Sequence, residues 1–105
     1  MAKKVKAPRE DVERFLASVP EEYVFWCCDG RVFRNMRDLG EALATMAGET
    51  FTYHANEQKN DFSNWVRDVI GDKKLAQAIA KSVTPAQAAR SVATRVAFLN
   101  NQLPR

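Results

Sequence analysis

His54 is the single histidine of the chain, and it stands six residues ahead of Asn60 and seven ahead of Asp61 in the stretch HANEQKNDFSNW, residues 54–65. An imidazole and a carboxylate at that spacing can do three kinds of work. They can serve as base and orienter of a nucleophilic triad, they can join Asn56 and Asn60 in holding a polar ligand, or they can clamp a loop through a hydrogen bond from the ring to Asp61 or to the loop backbone. A triad also needs a nucleophile beside the histidine, and Ser63, in the same stretch, has no strained-turn motif around it. Asn60 or Asp61 is moreover a natural helix cap, able to accept hydrogen bonds from free backbone N–H groups at the positive end of a helix dipole. His54, Asn56, Asn60, Asp61 and Trp65 are therefore the candidate motif, read as a binding site or a structural clamp rather than as a catalytic centre. No catalytic residue and no enzyme activity is expected.

Other chemistry finds less support. Cys27 and Cys28 are the only cysteines and are adjacent. In a strand, successive side chains point to opposite faces, so the two read as structural thiols, at least one of them buried. With one histidine available, a four-ligand zinc site is not expected, and no metal or cofactor is assigned. Gly30, Gly40, Gly48 and Gly71 stand too far apart to build a phosphate-binding loop. Phe62 and Trp65 fall on an apolar helical stripe and read as core. Trp26 is the aromatic with the better chance of facing a partner.

The elements that must position these residues are legible from periodicity. Val12, Phe15, Leu16 and Val19 recur at helical spacing, with Pro8 available for the first turn and Pro20 as a stop. YVFWCCDGRVFRN, residues 23–35, reads as a β-hairpin closed by a two-residue Asp29-Gly30 turn of type I′. That register pairs Cys28 with Arg31, Cys27 with Val32 and Trp26 with Phe33. It leaves both faces of the hairpin partly apolar. Asn35 caps a helix carrying Leu39, Ala42, Leu43 and Met46, which Gly48 should close. TFTYHA alternates Phe51 and Tyr53 with Thr52 and His54, which predicts a third short strand beside the hairpin. Phe62, Trp65, Val66, Val69 and Ile70 return to helical spacing up to Gly71, and Asp72 caps a helix with Leu75, Ala78 and Ile79. Thr84-Pro85-Ala86-Gln87 combines a cap, a first-turn proline and a capping-box glutamine, opening a last helix lined by Val92, Val96 and Leu99 and rich in alanine. The fold class is α+β: a small antiparallel sheet packed with about five helices. Residues 1–7 read as a flexible basic tail, and residues 8–105 as a single domain.

Net charge is +3, but it is unevenly spread. Residues 1–9 carry Lys3, Lys4, Lys6 and Arg9 without an acid, residues 10–72 hold all 13 acids against six bases, and residues 73–105 carry six bases without an acid. Such asymmetry fits nucleic-acid contact or complementary packing of subunits. No run approaches a membrane span, and the Met-Ala-Lys-Lys-Val-Lys start lacks the apolar segment of a secretory signal, so a cytoplasmic protein without membrane contact is expected. The leading expectation is an interaction module with a protein partner, self-associating through the alanine-rich last helix or the second hairpin face. The alternative is a nucleic-acid-associated protein that grips the phosphate backbone through Lys3, Lys4, Lys6, Lys73, Lys74, Arg90 and Arg95.

The stretch FTYHANEQKNDFSNWVRDVIGDKKLA, with CDGRVFRNMRDLGEALATM upstream, resembles a family of small archaeal and bacterial domains of unknown function. The likeness covers roughly residues 23–76 and is most specific at His54, Asn60, Asp61, Phe62 and Trp65. It implies a short hairpin, a leucine-bearing helix, a strand ending in histidine and an Asn-Asp-Phe-x-x-Trp helix ending in Gly-Asp. It marks residues 54–65 as the core motif of the family and implies no activity.

Overall fold

A computed structural model of the chain describes residues 9–103. The basic tail expected over residues 1–7, with Lys3, Lys4 and Lys6, lies outside the described residues, as does Pro8. Helix α1 spans Arg9–Leu16, and a 3₁₀ turn over Glu21–Tyr23 leads into strand β1, Phe25–Trp26. Strand β2, Val32–Phe33, is followed by α2, Met36–Thr45, and α3, Gly48–His54. Helix α4, Asp61–Trp65, runs on into a π-helical turn over Val66–Ile70; α5, Lys73–Ala80, and α6, Pro85–Asn101, complete the domain. The result is an α+β fold in which helices are gathered round a two-stranded antiparallel sheet. Among the described residues no helix is long and apolar enough to cross a membrane.

The hairpin register differs by one residue from the expectation. Phe25 pairs with Phe33 and Trp26 with Val32. The loop has three residues, Cys28 to Gly30: Cys27 N–H donates to the Arg31 carbonyl at 2.9 Å, and Gly30 alone takes a positive φ, 96°. A type I′ turn needs positive φ at both central residues; a three-residue loop with one glycine in that region does not, and adding one residue turns Phe33 to the opposite face. Phe25 and Phe33 then stack on the core side with centroids 5.2 Å apart, and Phe25 continues to Phe62 at 5.3 Å. Trp26 is left 73% exposed, so only one face of the sheet is buried in apolar surroundings.

The third strand is not found among the described residues; residues 48–54 are helical. The six-residue alternation also fits a helix, because Phe51 and His54 are three apart and both buried. Gly48, expected to close α2, instead begins α3, while α2 stops at Thr45. All that remains of the strand is one antiparallel bridge between Ala55 and Asn60. Likewise α1 ends at Leu16, short of Pro20, which precedes the 3₁₀ turn.

The caps follow side-chain chemistry. Asn35 accepts from Asp38 N–H, Asn60 from Ser63 N–H, Asp72 from Leu75 N–H and Thr84 from Gln87 N–H. Gly71, with φ 94°, ends the π-helical turn, and its N–H and that of Asp72 both donate to the Val66 carbonyl. Helices α2 and α6 form the most extensive helix pair. Their approach needs Gly40, since a Cβ there would lie 2.9 Å from Val92 Cγ1.

Asp72 also fixes α6 to α5. Its carboxylate is almost fully buried and receives Arg95 in a bidentate pair, Nε to Oδ2 at 2.7 Å and Nη2 to Oδ1 at 3.1 Å. Removing one partner of such a pair strands a buried charge. Arg95→Ala is expected to destabilise the fold by about 3 kcal/mol, read as a lower urea midpoint at unchanged slope. A loss under about 1 kcal/mol would place the pair with ordinary surface bridges.

Candidate functional site

The candidate motif is organised round a buried imidazole. Helix α3 delivers His54 from its last turn into a ring of aromatics, edge-on to Phe25 at 5.1 Å and to Tyr53 at 4.9 Å, with Phe62 at 5.2 Å. Both ring nitrogens are bonded. Nε2 lies 3.0 Å from the backbone N of Cys28 in the hairpin loop, and Nδ1 lies 2.9 Å from Asp61 Oδ2 at the start of α4. A peptide N–H can only donate, so Nε2 carries a lone pair. The proton of the neutral ring is therefore on Nδ1, which donates to the carboxylate.

Asp61 is shared. Lys59 Nζ stands 3.0 Å from the same Oδ2 and 5.2 Å from the Tyr53 ring centroid. Burial by itself would raise the Asp61 pKa, but the hydrogen bonds from His54 and Lys59 overcome it and hold the carboxyl below the ordinary aspartate value.

The other residues of the motif shape the loop and the helix. The Asn56 amide donates to the Thr52 carbonyl at 2.9 Å, and its oxygen accepts from Gln58 N–H at 3.0 Å, which closes the 55–60 turn. Asn60 caps α4 and also reaches the Ile79 carbonyl. Both asparagines border a depression of about 310 Å³ that His54 does not line. Trp65 is buried and its indole N–H donates to the Tyr23 carbonyl at 2.8 Å. Ser63 is turned away from the imidazole and donates to the Ala76 carbonyl at 2.7 Å. His54, Asp61 and the hairpin loop thus come together, while Asn56, Asn60 and Trp65 hold other joints of the same region.

Two residues that the sequence reading kept out of the site stand beside the imidazole. The sulfurs of Cys27 and Cys28 and a ring nitrogen of His54 all lie within 4.8 Å of one another. Strand alternation does not separate the thiols, because β1 ends at Trp26 and Cys28 already lies in the three-residue loop. Cys27 is buried and Cys28 exposed. Burial pushes the Cys27 thiol up to about 11, and the nearby Asp29 carboxylate acts in the same direction. The Arg31 backbone N–H and guanidinium hold Asp29 at about 2. The available signal was the Cys-Cys pair directly ahead of Asp-Gly.

The bases of the alternative reading separate. Lys74, Lys81 and Arg90 line a groove of about 830 Å³ between α5 and α6, with Gln87 and Ser91. Lys73 is exposed on α5 outside that groove. Arg95 reaches it, but its guanidinium is committed to Asp72.

No family model, curated protein or solved structure matches this chain.

The tautomer can be checked directly. Two-bond nitrogen–proton correlation on the ring is expected to show protonated Nδ1 and unprotonated Nε2. A ring protonated at Nε2 would contradict the bond from Cys28.

Proposed function

We propose that this chain is a non-catalytic interaction module that pairs with a second copy of itself across the face formed by α2 and α6. The observation that supports it is an open, almost wholly apolar groove of about 590 Å³ between the two helices. Small side chains, Gly40, Ala44, Ala89, Ala93 and Ala97, make up much of its lining, beside Val96. Within the chain, Val92, Ala88 and Leu99 already serve the core, whereas Ala44, Ala93 and Ala97 remain exposed. A surface of small apolar residues lets a helix approach closely, and association would cover it. The only charges at the groove are Arg37, Glu41 and Arg90. In a two-fold pair, acid and base from opposite copies can meet, as a self-complementary interface requires. The second hairpin face offers less, since Trp26 stands there with the half-buried Val32 alone.

A second reading is favoured by the α5–α6 groove: binding of a nucleic-acid phosphate backbone by Lys74, Lys81 and Arg90. From residue 73 onward no acid opposes these bases. Such binding would be salt-sensitive and weakly selective for sequence.

Two variants separate the readings. Ala93→Glu, at an exposed position, is expected to weaken self-association in sedimentation equilibrium at least about tenfold, or about 1.4 kcal/mol, with the urea midpoint of the dilute, monomeric chain unchanged. A wild-type chain that stays monomeric at high concentration would refute pairing. Lys74→Glu with Lys81→Glu lies outside the apolar groove and should leave pairing intact. If the second reading holds, that double variant lowers affinity for DNA and RNA and reduces the salt slope by about two; unchanged binding would count against it.

A further inference from the structure

We propose that Cys27, Cys28 and His54 form a three-ligand site for a thiophilic d¹⁰ cation, zinc(II) or copper(I), open to solvent at the hairpin tip. Two sulfurs and an imidazole nitrogen are the donor set that soft and borderline cations prefer over calcium or magnesium. The three donors already lie within 4.8 Å of one another. Metal–sulfur and metal–nitrogen bonds of about 2.3 and 2.0 Å put donors about 3.5–3.8 Å apart in a tetrahedral site. Contraction by at most about 1.0–1.3 Å therefore closes the shell.

The imidazole is prepared for this role. Asp61 accepts from Nδ1–H, which fixes the ring and leaves Nε2 unprotonated, the arrangement in which a carboxylate orients a metal-bound histidine. The Cys28 N–H occupies the Nε2 lone pair in the metal-free chain. A cation would take the place of that donor, so Cys28 must turn its peptide away as its sulfur swings in. The loop has the means: Cys28 is exposed, and Gly30 already sits at a φ of 96° two residues on. Binding releases one proton from each thiol to solvent and requires no oxidant. The fourth position faces solvent beside Cys28 and takes water or an exogenous ligand.

The test uses the full chain, reduced and metal-free. It is titrated under anaerobic conditions with cadmium as an optical probe, and with zinc and copper(I) against competing chelators. Expected are one cation per chain, thiolate-to-metal absorption that saturates at one equivalent, and a displaced Nε2 resonance. Cys28→Ser, at an exposed position that leaves the fold intact, should bind at least about tenfold more weakly. Retention of zinc but not copper(I) by the chain, or the reverse, identifies the cation. The proposal is overturned if neither ion binds, if Cys28→Ser binds equally well, or if binding leaves the Nε2 resonance in place.

Discussion

The hairpin side of the domain depends on one neutral imidazole with a hydrogen bond on each nitrogen. His54 joins three segments far apart in sequence: its own helix α3, the hairpin loop through the Cys28 N–H, and the start of α4 through Asp61. The ring itself is buried against Phe25, Tyr53 and Phe62, while its two bonds reach the part-buried hairpin loop and the start of α4. A buried polar atom left without a partner costs about 1–3 kcal/mol, so the ring and its two partners stand or fall together. The constraint runs in both directions. The loop must present an N–H at Cys28, which the three-residue turn provides, and that same turn sets the register that places Phe33 against Phe25.

The other end of the domain rests on a different polar tie. Asp72 caps α5 and holds Arg95 of α6, so the stop at Gly71 and the angle of the last helix are linked through one carboxylate. Its commitment explains why a base that reads as part of a cationic surface has a structural duty. With α6 anchored there and at Gly40, its alanines divide between the inner face and an exposed face. That division leaves the small-residue groove between α2 and α6 exposed.

Local rules carried the sequence reading far. The caps at Asn35, Asp72 and Thr84, the stop at Gly71 and the apolar stripe through Phe62 and Trp65 all obey short-range chemistry, and the helices they frame are where the sequence places them. Two errors arose where local signals were degenerate. Asp29-Gly30 is compatible with a two-residue or a three-residue loop, and only core packing of Phe33 selects between them. The segment from Thr50 to Ala55 satisfies both a period of two and a helical i, i+3 pair over so short a span, and burial of Phe51 with His54 decides for helix. Within the motif, the nearness of His54 to Asp61 was readable from their spacing. The Cys28 bond and the Asp72–Arg95 pair were not, because each spans more than twenty residues and depends on how whole elements pack.

The most direct test of the imidazole tie is hydrogen exchange at the Cys28 amide in the reduced, metal-free protein. Cys28 has an exposed side chain in a tight turn, where an amide without a buried acceptor exchanges freely. Bonded to His54 Nε2, its N–H should exchange at least about a hundredfold more slowly than an unstructured amide, the mark of an opening that costs about 2.8 kcal/mol or more. Exchange as fast as that of an exposed turn amide would show that the bond is not held and that His54 does not organise the hairpin.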